Sequence, residues 1–517
     1  MPELSGMRHN ASGTFAHFAR RAWPWIAIFP LLVLALVAFQ VNKDSLGPPA
    51  AVSSTLISNP PLPSLFDDLE ERTFRFFWNT AQPDTGLVPD RYPTPSMASI
   101  AAVGFALTAY PIGVERGYVT REEARDRVLG TLRFFAEAPQ GPAATGMAGY
   151  KGFFYRYLEM RTGDRSGDIE LSTVDTALLL GGVLFCQSYF DKSTPEEAEI
   201  RRLAELIYRR VDWRWAQVRP PAISHGWTPE SRFLKYDWRG YNEAMLVYIL
   251  ALGSPTHPVG RDAWDEWVRG YNGYWDSLQG RTYLAFQPHF GHQYTHIWVD
   301  FHGILDPMMR LAGFDYFDNS RRATYAQQAY AIANPMRWKG YGENVWGLTA
   351  SDGATDAQFL FRGEKRQFRG YWARGAGGVG GFDDGTIAPT AAAASVAFAP
   401  AIAIPAVLEM HRRYGNYIYG EYGFYDAFNP SFTFDTSLRH GRLVPGLGWV
   451  ATDYLAIDQG PIVAMIENYR SGLVWRIMRN NPHVRRGLIR AGFKGGWLDQ
   501  PRGTAGKTAM REPASAG

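Results

Sequence analysis

Two kinds of helical segment alternate along this chain, and few architectures have room for both. The stretches "MASIAAVGFALTAYPIG" and "ELSTVDTALLLGGVLFCQSYF" are apolar nearly all round, so a helix formed by either must be buried on every side. Between and around them, "SLFDDLEERTFRFFWNTA", "TREEARDRVLGTLRFFAEA" and "TPEEAEIRRLAELIYRRV" carry one apolar stripe and one charged face. The second of these opens on Thr120 with Glu123 three residues on, a capping box. "YNEAMLVYILALG", "DNSRRATYAQQAYAIAN", "TIAPTAAAASVAFAPAIAIPAVLEMHRRYG" and "DQGPIVAMIENYRSGLVWRIMRN" continue the helical series. Strand-like alternation is confined to short runs around "RTYLAFQ" and "FTFDTS". An all-α fold with an inner ring of buried helices inside an outer amphipathic ring, an (α/α)6 toroid, gives each kind its place. It is expected over residues 63–497. Loops rich in glycine, aromatics and aspartate interrupt the series at Gly146–Asp168, Arg219–Gly240 and Trp338–Asp384, where a helical scaffold builds its sites.

The ends read differently. Residues 22–41, "AWPWIAIFPLLVLALVAFQV", are uncharged and long enough for a transmembrane helix. Arg20 and Arg21 precede them, which puts the basic segment 1–21 in the cytoplasm and the body of the chain outside. An inner-membrane anchor with a periplasmic domain is expected; a cleaved signal segment is the competing reading, although no small-x-small site directly follows the apolar run. Residues 42–62 form a Pro/Ser-rich linker, and 498–517 a disordered basic tail. The net charge of +3 divides into +2 before the core, +2 after Phe493 and −1 between, a balance that argues against nucleic acid as a partner. A monomer is expected. The one cysteine, Cys186, rules out an internal disulfide and a cysteine-based metal cluster.

Aromatic residues make up 15% of the chain, with 17 Trp, and aromatics in loops beside carboxylates suit sugars, whose C–H faces pack on flat rings. Glu243 stands at the mouth of an apolar helix behind a loop with Trp227, Trp238 and Tyr241, where burial would raise its pKa and make it a proton donor. It reads equally as an ordinary acid of a first helical turn. Asp426, in "YGEYGFYDAFNP" beside Tyr425, has no capping role to explain it, whereas Asp458 in "YLAIDQGPIVAMIENYR" also fits a helix start and Asp453 lies just upstream. A glutamate and a distant aspartate fit hydrolysis of a glycosidic bond, one protonating the leaving oxygen while the other activates water. Asp175, Asp383 and Asp384 stand at other helix entrances. In "QPHFGHQYTHIWVDFHG", His292, His296 and Asp300 have the spacing of metal ligands on one helix face, but "HQYTH" lacks the glutamate of a metalloprotease motif. A sugar-binding wall built from His292, Tyr294, His296 and Trp298 and a set of core histidines are the other readings of that stretch. No phosphate-loop lysine and no serine nucleophile elbow occur.

The motifs "YNEAMLVYILALGSPTHP", "ELSTVDTALLL", "YGEYGFYDAFNP" and "YLAIDQGPIVAMIENYR" resemble the bacterial glucoamylase-like family, which includes the endo-β-1,2-glucanases of glycoside hydrolase family 144. The resemblance runs from about Leu65 to Trp497. It implies an (α/α)6 barrel, inverting hydrolysis of β-1,2-linked (sophorose-type) glucan and no cofactor. It implies Glu243 as acid and Asp426 or Asp458 as base, with Asp175, Tyr241, His292, His296 and Asp383 at pocket positions; Trp238, Tyr294, Trp298 and Tyr425 are further substrate-binding candidates by their aromatic character. Transglycosylation, a non-catalytic role in binding or assembling envelope glycans, and metal-dependent hydrolysis at His292 and His296 remain the alternatives.

Overall fold

The computed structural model describes residues 59–501 other than 279 and 378–380. The expected anchor at 22–41, the segment before it, most of the linker and the tail beyond 501 lie outside the described residues. Among the described residues no helix is long and apolar enough to cross a membrane.

The helices in chain order are α1 (Ser64–Thr80), α2 (Ile100–Glu115), α3 (Arg121–Glu137), α4 (Thr173–Tyr189), α5 (Pro195–Arg209), α6 (Met245–Gly253), α7 (Arg261–Arg269) and α8 (Tyr294–Trp298). After them come α9 (Pro307–Ala312), α10 (Tyr316–Ala333), α11 (Pro389–Ala393), α12 (Pro400–Ile418), α13 (Ala456–Arg470), α14 (Leu473–Met478) and α15 (Pro482–Arg490). Six of them, α2, α4, α6, α8, α11 and α13, are buried along nearly every residue. The six that alternate with these, α1, α3, α5, α7, α10 and α12, each bury part of their surface and leave the rest to solvent. Around the inner ring α13 packs on α2, α2 on α4 and α4 on α6, while α11 packs on α13. This is the expected double ring. Close approach of α2 and α4 depends on glycine: a β-carbon on Gly182 would lie 2.2 Å from the Gly104 carbonyl oxygen, and one on Gly104 would lie 2.2 Å from that of Leu178.

Four details depart from the sequence reading. Two inner members, α8 and α11, are five-residue helices. The long helix expected from Thr386 to Gly415 breaks at Ala399 (φ −142°, ψ 64°), because the residue before Pro400 is disfavoured in helical backbone. Strands are more numerous than expected: among the described residues nine two- or three-stranded sheets, mostly of two-residue strands, stitch the loops together. "RTYLAFQ" does hold the strand Arg281–Leu284, but "FTFDTS" forms none; Phe432 and Phe434 instead pack with Phe359 and Phe368 in a second aromatic cluster. Finally, packed structure extends past both expected limits, with Asn59 donating to the Tyr469 carbonyl (2.6 Å) and Leu498 buried under the Arg485 guanidinium contacts.

Candidate active site

Short strand pairs gather the entrances of the inner helices at one end of the barrel. Arg91–Tyr92, ahead of α2, pairs antiparallel with Tyr454–Leu455, which runs into α13. Ala98–Ser99, at the start of α2, pairs with Tyr157–Leu158, and Leu171–Ser172, at the start of α4, pairs with Gly226–Trp227. The Trp238 indole N–H donates to Thr173 Oγ1 (2.9 Å) and so ties the approach to α6 to the start of α4. Helix N-termini favour negative charge, and acids accordingly cluster here.

Glu243 precedes α6 by two residues rather than lying in its first turn. It is half-buried, yet its Oε2 atom is fully enclosed with no hydrogen-bond partner among the described residues. Burial pushes its pKa up to about 7, and the nearby Asp175 carboxylate pushes the same way against a weaker pull from Arg156. Asp175, third residue of α4, accepts from the Ser172 hydroxyl and from Arg156 Nε (3.2 Å).

Asp426 and Asp458 reach the same end from the α12–α13 loop and the first turn of α13, near enough that each shifts the other's pKa. Both are fully buried, and Asp426 Oδ1 and Asp458 Oδ2 have no hydrogen-bond donor among the described residues. Burial, then repulsion from neighbouring carboxylates, raises both pKa values, that of Asp426 to about 7. Asp426 is the member better suited to ionise, since the Asp352 amide donates to its Oδ2 (2.6 Å) and Arg91 lies nearby, while burial and the Asp426 charge push Asp458 well above the usual carboxylate range. Tyr294 lies between the two groups of acids, within the field of Asp458, Glu243 and Asp175, while Tyr371 stands on the Asp426 side, beside Asp90, Asp426 and Asp458. Asp90 is itself raised to about 6 by burial.

Several residues that the sequence pointed to lie elsewhere. His292 is core: its Nε2 accepts from the Phe286 amide (3.2 Å), so Nδ1 carries the proton toward the Tyr241 hydroxyl (3.2 Å). Tyr241 is wholly buried and stacks parallel to Tyr316. His296 pairs with Ser320 Oγ (3.0 Å), and Trp298 is buried against Phe105 and donates to Thr108 Oγ1 (2.9 Å). Burial depresses both histidines, His296 to about 3, so both are neutral. Asp300 is held by His302 and Arg479. With each member satisfied separately, His292, His296 and Asp300 form no metal site, and His292, His296, Trp298 and Tyr241 are packing residues rather than a sugar wall. Trp238 is nine-tenths buried and stacks on His225 (3.7 Å). Asp383 accepts from Tyr330 (2.9 Å) and Tyr341 (2.6 Å), Asp384 pairs with the buried Arg374, and Tyr425 packs on Tyr454.

Asp352, His440 and Asp453 do bring ligand atoms together. Arg91 lies among them, however, with Nη1 2.8 Å from Asp352 Oδ2 and 3.3 Å from both Asp453 Oδ2 and His440 Nδ1. A guanidinium takes the position a cation would need. Arg91, Asp352 and Tyr371 were not singled out from the sequence; Asp352 and Tyr371 do lie inside the long loop Trp338–Asp384 that marked itself by composition.

A solved structure from Bacteroides uniformis is 31% identical in sequence, has a TM-score of 0.72, and is matched over 100% of its length by 85% of this chain. The chain belongs to the glucoamylase-like family. The family model described as "Putative glucoamylase" matches residues 235–482, a span that includes Glu243, Asp426 and Asp458. Another member of similar fold is an endo-β-1,2-glucanase from Chitinophaga pinensis, solved with sophorotriose and glucose: 28% identity, TM-score 0.71, 84% of this chain and 99% of that one. In sequence the chain is 28% identical over 453 residues to an exo-β-1,2-glucooligosaccharide sophorohydrolase (non-reducing end) from Parabacteroides distasonis. That match takes in 82% of this glucoamylase-like chain but spans 57% of the length of the relative.

Proposed function

We propose that this protein is a glycoside hydrolase that cleaves β-1,2-linked glucan with inversion, without a cofactor, and that residues 22–41 anchor it to the inner membrane with the catalytic domain in the periplasm. The observation that carries the catalytic reading is the pair of acid sites at one barrel end. One is a single glutamate with an enclosed oxygen, raised by burial to about 7; the other is a buried aspartate pair with two unpartnered oxygens, raised likewise by burial. The relatives that act on β-1,2-glucan support the choice of substrate.

In this mechanism Glu243 gives its proton to the glycosidic oxygen as the C1–O bond breaks. Asp426 takes a proton from the water whose oxygen bonds C1 on the opposite face. Asp458 holds its own proton and hydrogen-bonds Asp426, keeping a second charge out of the buried site. One water is consumed, and each carboxyl returns to its starting state by exchange with solvent. Glycan contact by Tyr294, Tyr371 and Asp175 belongs to this proposal.

The test is incubation of the full chain with linear β-1,2-glucan, beside Glu243→Gln and with products sized and their anomers followed by NMR. Cleavage lost in Glu243→Gln, with α-anomers appearing first, is expected. Release of sophorose alone would indicate the exo mode, and mixed lengths the endo mode. Full activity in Glu243→Gln, or none in the wild type, rejects the proposal. Alkaline carbonate extraction of cell membranes reads the anchor, since an anchored chain stays in the pellet.

A further inference from the structure

Arg91 is the link among segments that are remote in sequence. Its side chain is 10% exposed, and its two Nη atoms grip the fully buried Asp352 carboxylate at 2.8 and 3.2 Å. The same Nη1 reaches Asp453, whose Oδ1 also accepts from the Thr94 amide (3.1 Å) and hydroxyl (2.8 Å). The two residues whose carboxylates Arg91 holds are those whose backbones hold Asp426. The Asp352 N–H donates to Asp426 Oδ2 (2.6 Å), and the Asp426 N–H donates to the Asp453 carbonyl (3.0 Å). Pairing of Arg91–Tyr92 with Tyr454–Leu455 fixes the register of this clamp against α13, which carries Asp458.

Resting on the function proposed above, we infer that Arg91 is a positioning residue for the base. By clamping Asp352 and Asp453 it aims the Asp352 amide and the Asp453 carbonyl at Asp426, and it contributes the positive charge that keeps Asp426 ionised.

The groups that face Asp426 make the charge matter. Asp458 comes from α13, Asp352 from the loop after Ala350–Ser351, Arg91 from the strand Arg91–Tyr92 with Asp90 just ahead of it acting on Asp458, and Tyr371 and Arg374 from the segment before α11. Arg374 is committed to Asp384 through 2.8 and 2.9 Å contacts, and Arg91 is the cation whose attraction favours the ionised form of Asp426. Without it the ionised form of Asp426 loses attraction and a higher pH is needed to create it.

The experiment compares wild type, Arg91→Met and Arg91→Lys by the pH dependence of kcat and KM on linear β-1,2-glucan. Carboxyl-labelled aspartate NMR titrations run alongside, with the Asp426 signal identified by its loss in Asp426→Asn, and thermal melts report folding. Arg91→Met is expected to move the acidic limb of kcat, and the Asp426 titration, upward by about 1 pH unit or more. Its kcat should fall about 100-fold with KM little changed, as for a misplaced catalytic group. Arg91→Lys keeps the charge but not the two-pronged grip, so its acidic limb should stay with the wild type while kcat falls about tenfold. An Asp426 titration unchanged in Arg91→Met, or wild-type kcat in Arg91→Lys, overturns the inference. If Arg91→Met does not fold, Arg91→Lys decides alone on the same criterion. The NMR titration needs no substrate, so a wild type inactive on β-1,2-glucan rejects the function while leaving the Arg91 result readable.

Discussion

Glu243 is a carboxyl group whose pKa burial raises to about 7, and its enclosed Oε2 has no donor among the described residues to favour the charged form. Its folded pKa lies above the ordinary 4.5, so between those values the folded state holds the proton more tightly than the unfolded chain, and stability falls as pH rises through that window. Glu243→Gln should therefore lower kcat by about 10³-fold, within the usual range for loss of a general acid. The same variant should be more stable than the wild type at pH 8, by about 1–2 kcal/mol after allowing for partial exposure. That advantage should vanish below pH 4, and denaturant melts at the two pH values check it. Asp426→Asn should be comparably inactive, and the wild-type kcat should trace a narrow bell near neutrality. Its alkaline limb belongs to Glu243 and its acidic limb to the Asp426–Asp458 pair, since both acid sites are raised. At this scale the position of Glu243 ahead of an apolar helix was legible in the sequence, because local composition determines local desolvation. The partner of Asp426 was not, because Asp352 is 74 residues away in the chain.

Among the elements, the rings divide the tolerance of the molecule to change. Gly182→Ala puts a β-carbon 2.2 Å from the Gly104 carbonyl oxygen, where backbone has to move. It should destabilise by about 3 kcal/mol, the upper end for overpacking, and separate α2 from α4 enough to lower activity as well. Outer-ring changes should stay local. Thr120→Ala removes the capping box at the start of α3 and should cost about 1 kcal/mol with kcat unchanged, measurable by melts and rates on one preparation. Both outcomes follow from patterns visible in the sequence, since all-apolar and amphipathic periods distinguish inner from outer helices before any contact is known. The shortness of α8 and α11 was less visible. Pro400 marks one break, but nothing in the polarity of "HIWVDFHG" marks where α8 stops.

For the whole molecule, closing the double ring is what creates the site. Arg470 near the end of α13 pairs with Glu70 of α1 (2.9 Å), joining the last inner helix to the first outer one. Closure brings Asp90, Glu243, Asp352, Asp426 and Asp458 to one end of a single barrel. It also places Arg91 among the carboxylates that would otherwise bind a cation, so EDTA should leave the rate on β-1,2-glucan unchanged, and a rate restored only by added metal would contradict this reading. The sequence by itself determined the alternation of buried and amphipathic helices, hence the ring architecture, and the richness of the helix entrances in acids, because these depend on periodicity and composition over a few turns. Only the tertiary structure decided that His292 and His296 are packing residues, that Asp426 and Asp458 meet as one buried pair, and that Arg91 serves both Asp352 and Asp453. Those outcomes depend on which distant side chain arrives within hydrogen-bond reach, a question of closure that no local pattern encodes.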